Sequence, residues 1–216
     1  MAAAAILDID GTLVDSNYQH AIAWHRAFRA HGLTLPLWRL HRHIGIGGDQ
    51  FVAAVAGTVF EQGCGDAVRE AEARFFAELI DEVRPLDRAR DLIRELKRRD
   101  HRVVLASSAK APDAERFVDL LEVREAVDAW TTSADVDRSK PAPDLVATAV
   151  ERAGGAPAVM VGDTTWDVEA AARAGLETIC VLTGGFGEGE LMGAGALAVY
   201  ESPGALLESL DSTPLR

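Results

Sequence analysis

The sequence predicts an α/β fold, a Rossmann-like parallel sheet core with an inserted all-helical cap, and three observations carry the prediction. An uninterrupted apolar run over residues 2–7 ends abruptly in two carboxylates, Asp8 and Asp10, the pattern of a strand buried on both faces that surfaces at its carboxyl end. Over residues 16–82 apolar residues recur at spacings of three and four with no strand pattern between them, which is helical texture. From Leu86 onward helix and strand signals alternate, as crossover connections between parallel strands require. Residues 1–15 and 83–216 are therefore expected to form one α/β core domain and residues 16–82 a helical domain, with hinges after Val14 and before Pro85.

Within the helical block, Ser16 is placed to cap a first helix that presents Ala21, Trp24 and Phe28 on one face and runs to about Gly32. Further helices are expected over residues 37–43, 49–56 and 66–82, the last with Val68, Ala71, Phe75 and Leu79 as its buried stripe. In the core, a helix around Leu92 and Leu96 ends in Lys97, Arg98 and Arg99, a basic turn that suits the negative end of a helix dipole. Strands are expected over residues 102–106, 128–131, 158–161, 178–182 and 197–200. Helices opened by Pro112, by Pro141 with Pro143, near Trp166 and by Pro203 alternate with them. The glycine-rich stretch 184–195 is assigned no element of its own.

With 34 acidic against 22 basic residues the net charge is −12, which argues against a nucleic acid or an anionic membrane as partner. A small anionic substrate is still compatible, because a cation and one or two basic side chains reverse the field locally. No run reaches the roughly 18 apolar residues of a membrane span. The first seven residues lack a basic leader and meet Asp8 too soon for a signal peptide. Cys64 and Cys180 show no metal-ligand spacing and are expected as free thiols of a reducing, cytoplasmic compartment. A monomer and a homodimer both fit this chain.

In an extended strand, residues two apart share a face, so Asp8 and Asp10 converge. Two anions this close require a cation or a proton between them. An acidic turn is the plain alternative; a calcium loop would place its glycine sixth, after a helix, whereas Gly11 is fourth and follows a strand. The other strands also end in reactive groups: Ser107 and Ser108, then Lys140 in a later loop, then Asp163 with Asp167 four residues on. A parallel sheet brings such ends to one edge. Carboxylates without thiols or a histidine pair make an oxygen site for a hard cation, for which Mg²⁺ fits better than Zn²⁺. A hydroxyl and an ammonium beside that cation receive a phosphoryl group. One carboxylate is then able to attack phosphorus, and the other to give and take the proton.

D-I-D-G-T-L-V-D beginning at Asp8, the serine at Ser107, S-K-P-A-P-D containing Lys140 and V-G-D-T-T-W-D containing Asp163 and Asp167 together resemble the four motifs of the haloacid dehalogenase superfamily. The nearest branch is that of the phosphoglycolate phosphatases and β-phosphoglucomutases, whose helical cap follows the first motif. The resemblance implies an Mg²⁺-dependent phosphatase acting on a small phosphorylated metabolite. By it Asp8 is the nucleophile and Asp10 the general acid/base. Mg²⁺ is held by Asp8, the backbone carbonyl of Asp10 and Asp163, with Asp167 in support, while Ser107 and Lys140 bind phosphoryl oxygens. Thr12, which supports the first loop, Ser108 and His20 complete the expected substrate-binding set. Asp167 is equally an acidic residue of a first helical turn, and Asp15 a structural residue near the hinge.

Two other readings stand beside this one. A sugar phosphomutase is suggested by His20 and Trp24, which resemble β-phosphoglucomutase residues, but Gly48 stands where those enzymes carry an arginine for a second phosphate. A non-catalytic protein that binds a metabolite or a partner is the third. The loop over residues 45–48 follows no strand and is expected as a substrate-facing turn. His31, His41 and His43 are expected on a solvated face of the cap rather than around zinc.

Overall fold

The computed structural model describes residues 3–155 and 157–216; Met1 and Ala2, where the first domain and the apolar run were expected to begin, lie outside the described residues. Strands β1 (Ala4–Leu7), β2 (Val103–Ala106), β3 (Ala129–Thr131), β4 (Ala158–Gly162), β5 (Glu177–Val181) and β6 (Ala198–Tyr200) form one parallel sheet in the order β3-β2-β1-β4-β5-β6. Helices α1 (Asn17–Ala30), α2 (Leu37–His41), α3 (Gly48–Ala56), α4 (Thr58–Ala77) and α5 (Ala89–Arg98) lie between β1 and β2. The later connections carry α6 (Ala111–Leu121), α7 (Asp144–Arg152), α8 (Thr165–Arg173) and α9 (Glu188–Ala194), and α10 (Pro203–Glu208) follows β6.

Every residue of β1 and β2 is buried, which is why these strands read as continuous apolar runs rather than as alternations. Successive residues nevertheless feed opposite faces. Ala5 and Leu7 join Leu92, Phe117 and Leu206 of α5, α6 and α10 in one core. Ala4 and Ile6 join Leu145 and Ala171 of α7 and α8 in the other. The helical block has a core of its own around Trp24, Phe28, Leu40, Phe51 and Val68, while Phe76 and Ile80 pack into the sheet's core. Its two connections run side by side: Val14 bridges Pro85, the Asp15 amide donates to Arg84 and the Leu86 amide to Leu13, both at 2.9 Å. Among the described residues no helix is long and apolar enough to cross a membrane.

Two elements differ from the sequence reading. α4 starts at Thr58 rather than near residue 66, running through Gly63 and Gly65. Glycine costs a helix about 1 kcal/mol per position, and the packing of Val68 and Ala71 with Trp24, Phe28 and Phe51 of the neighbouring helices outweighs that local preference. The glycine-rich stretch contains α9, anchored by buried Leu191, started by a Glu190 carboxylate that accepts the Gly187 amide at 2.8 Å, and closed by Gly195 at φ 110°.

The strand order places the topological switch between β1 and β4, since the chain builds outward from them in opposite directions. In open α/β sheets the crevice at the carboxyl ends of such a pair is where ligands bind.

Candidate active site

Asp8 and Asp10 follow β1, and the loop they begin turns back through Gly11 at φ 76°. A Cβ there would overlap the Asn17 amide and the Asp163 carboxylate, so this glycine permits both the turn and the close approach of two loops. Asp163 follows β4, and Asp167 occupies the third position of α8, where its Oδ2 accepts from the Thr164 amide at 3.0 Å and the Thr164 hydroxyl at 2.6 Å in a reciprocal cap. Lys140 is 1% exposed; its Nζ donates to Asp8 Oδ1 at 2.5 Å and to Asp167 Oδ1 at 2.8 Å. Asp163 accepts from Thr12 Oγ1 and from Asn17 Nδ2, each at 2.9 Å. Residues more than 150 positions apart thus share one buried cluster.

Asp8, Asp163 and Asp167 each offer an oxygen within 4.8 Å of the others. Burial, reinforced by the neighbouring carboxylates and opposed by Lys140, holds the Asp8 carboxyl well above its usual range. Burial and then the Asp167 charge push Asp163 up to about 7. The Lys140 ammonium is held upward despite its burial, because Asp167 and Asp8 surround it. A single ammonium among three carboxylates leaves a deficit of positive charge, and an all-oxygen, buried donor set fits a hard divalent cation such as Mg²⁺.

The Asp10 carboxylate turns away from this cluster. It accepts from Ser16 Oγ at 2.5 Å and faces His20 Nε2 at 3.4 Å, so the Ser16 hydroxyl expected to cap α1 makes no such cap. His20 Nδ1 meets Glu72 Oε1 at 3.1 Å, and the ring stacks on Phe76 at 3.8 Å. Burial alone would lower the His20 pKa, but bonds to Asp10 and Glu72 raise it to about 10. Burial alone would raise Asp10, but His20 and Ser16 hold it below the usual carboxylate range.

A cavity of about 510 Å³ separates the sheet edge from the helical block, walled by Asp8, Asp10, Ser108 and Lys140 on one side and by His20, Trp24 and other helical-block residues on the other. Ser107 and Thr12 are not on this wall. Both are fully buried: the Ser107 hydroxyl accepts the Ala109 amide at 3.0 Å, and the Thr12 hydroxyl is committed to Asp163. It is Ser108 that faces the cavity, with a buried hydroxyl that has no partner among the described residues. His41 corrects the expectation of a solvated face: it is buried, its Nε2 meets the Gly184 carbonyl at 3.0 Å and its ring stacks on Tyr18. His31 and His43 bond carbonyls of Ala27 and Arg39. Asn17 and Glu72 are site residues that the sequence reading missed. The available signal for Glu72 was an acidic residue one helical turn from both Val68 and Phe76; Asn17 was concealed among polar residues read as a helix start.

Residues 2–175 match the family model described as haloacid dehalogenase-like hydrolase. The chain is 28% identical over 191 residues to the validoxylamine A 7'-phosphate phosphatase of Streptomyces hygroscopicus subsp. limoneus, covering 85% of this chain and 87% of that one. It is 27% identical over 186 residues to the fructose-1-phosphate phosphatase YqaB of Escherichia coli, covering 83% and 96%. The crystal structure of a hydrolase from Pseudomonas syringae superposes with a TM-score of 0.91 at 33% identity, covering 97% of this chain and 98% of that one.

Proposed function

The chain belongs to the haloacid dehalogenase-like hydrolases, and on that premise we propose that it is an Mg²⁺-dependent phosphatase that hydrolyses a small phosphorylated metabolite through an aspartyl-phosphate on Asp8. The observation that carries this reading is the buried Asp8, Lys140, Asp163 and Asp167 cluster at the sheet's switch point, opening onto a metabolite-sized cavity. Residues 16–82 act as a cap over that cavity, closing about the two paired hinges to exclude water.

Asp8, Asp163 and the backbone carbonyl of Asp10 would hold the cation, with Asp167 in support through water or a hydrogen bond. When bound, Mg²⁺ neutralises charge on a phosphoryl group. Lys140 fixes the Asp8 carboxylate for attack and offsets its repulsion with the incoming ester. Ser108 offers its unpartnered hydroxyl to a phosphoryl oxygen, and Ser107 shapes the turn that presents it. An Asp8 oxygen forms the bond to phosphorus as the leaving oxygen departs, taking a proton delivered by Asp10. His20, charged and 3.4 Å away, is the nearest proton store. Asp10 next takes a proton from the water that attacks the acyl phosphate, releasing inorganic phosphate and restoring Asp8.

Phosphomutase chemistry needs a second anion site in the cap. Among the described residues of the cavity wall, the helical block contributes Arg69 and His20 as cations, and both are committed. Arg69 is bonded to both Glu61 oxygens at 3.0 and 2.8 Å and to Asp66 at 2.7 Å; His20 lies between Asp10 and Glu72. Water is therefore the acceptor we assign. The test is phosphate release across sugar phosphates, phosphoglycolate, nucleotides and cofactor phosphates, with a chelator control and an Asp8→Asn variant. Chelator-sensitive release that Asp8→Asn abolishes is expected. Release untouched by Asp8→Asn would overturn the assignment, and isomerisation dependent on a bisphosphate primer would favour the mutase.

A further inference from the structure

The glycine loop over residues 45–48 is in contact with two of the three core loops that carry the charged cluster, those of Lys140 and of Asp163 with Asp167. A Cβ at Gly47 would overlap the Ser139 side chain, and one at Gly45, whose φ is 99°, would lie 2.9 Å from Thr164 Oγ1. At the end of this loop two side chains of the helical block reach the backbone beside Lys140. Asp49 Oδ2 accepts the Ser139 amide at 3.1 Å. Gln50 Nε2 donates to the Ser139 carbonyl and, at 3.3 Å, to the Lys140 carbonyl. Ser139 is 3% exposed, so its amide has to be satisfied within the protein, and the acceptor comes from across the cavity.

We propose that Asp49 and Gln50 are positioning residues for Lys140: docking of the glycine loop fixes the backbone at Ser139 and Lys140, and undocking withdraws the ammonium from Asp8 and Asp167. The glycines are small so that the two loops can meet, and the Asp49 and Gln50 side chains sense that meeting. Movement of the helical block about its hinges would leave the Ser139 amide without its acceptor and the Lys140 loop without its cross-cavity anchors. The competence of the core thus depends on the position of the cap, even for a substrate that touches no cap side chain. The kinetic arm rests on the phosphatase reading; the labelling arm does not.

The kinetic probe is p-nitrophenyl phosphate, whose activated leaving group carries no hydroxyl groups for the cap to select. Asp49→Ala and Gln50→Ala are each expected to lower kcat about tenfold or more, the scale on which a misplaced charged group acts. KM is expected to change less than about twofold. Asp49→Asn, which keeps an acceptor for the Ser139 amide, is expected to restore most of the rate. The second arm acetylates the metal-free protein and maps its three lysines, Lys97, Lys110 and Lys140, by mass spectrometry. Lys140 is expected to react slowly in the parent and at least about tenfold faster in the two alanine variants, with Lys97, on the opposite edge of the sheet, unchanged as the reporter of intact folding. An effect confined to KM, or Lys140 labelling unaltered by both alanine variants, would overturn the proposal. If the parent hydrolyses no ester, the phosphatase reading fails while the labelling result still decides on the latch.

Discussion

Two lysines meet aspartates at opposite edges of the same sheet, and they are built differently. At the amino edge, Lys97 is 39% exposed and donates to both oxygens of Asp128 at 2.8 Å. Asp128 also accepts from Arg102 at 2.7 Å and from the Val103 amide at 2.9 Å. This is a brace between the starts of β2 and β3, made where water stays close and each pair contributes little. At the carboxyl edge, Lys140 lies with Asp8 and Asp167 fully out of water. Desolvation there costs on the order of several kcal/mol per ion, and with Asp163 the cluster sets three carboxyl groups against one ammonium. The contrast teaches that ion pairing by itself does not mark a site. Burial of an unbalanced set does, because such a set is waiting for charge that the chain does not supply.

Removing each lysine–aspartate unit in turn separates the two roles. Lys140→Ala is expected to lower kcat/KM about 10²–10³-fold, measured by phosphate release; retained turnover would reduce Lys140 to a buried structural ion. Asn17→Ala removes a bond to Asp163 from the shell behind the cluster and is expected to raise the half-saturating Mg²⁺ concentration about tenfold, read by Mg²⁺ titration of activity.

The smallest effect belongs to the amino edge. Asp128→Asn is expected to leave turnover unchanged and to cost about 1–2 kcal/mol of stability at neutral pH, measured by urea denaturation. Burial would raise the Asp128 pKa, but Lys97, the Val103 amide and Arg102 hold it below the ordinary carboxylate value of 3.8. A depressed carboxyl stabilises the fold above its unfolded pKa and stops doing so as pH falls through the folded one. The gap between parent and variant is therefore full at neutral pH and closes below about pH 3.8. A gap that widened in acid would mean that the brace is not what Asp128 supplies.

The sheet was legible because its strands are apolar runs punctuated by prolines and glycines; Asp8 and Asp163 because each directly follows a strand, and Lys140 and Asp167 because they sit in polar motifs on the connections that leave the same edge. The early start of α4 and the presence of α9 were not, since local glycine content argues against both while packing decides for them. Which of Ser107 and Ser108 reaches the cavity turns on one bond, from the Ala109 amide to the Ser107 hydroxyl, that no pattern announces. Asn17, Asp49, Gln50 and Glu72 find their partners 146, 90, 89 and 52 positions away. The pairings of Asn17, Asp49 and Gln50 exist only once the helical block is folded against the sheet, and that of Glu72 with His20 only once α1 and α4 are packed together.

The central claim is that Asp8 carries the phosphoryl group, and chemical trapping tests it most directly. The enzyme is quenched during turnover of a substrate found in the panel, reduced with borohydride, digested and sequenced by mass spectrometry. An acyl phosphate is reduced to the alcohol, so homoserine in place of Asp8, dependent on both substrate and Mg²⁺, is the predicted result. An unmodified Asp8 peptide during active turnover, or homoserine at Asp10, Asp163 or Asp167 instead, would contradict it.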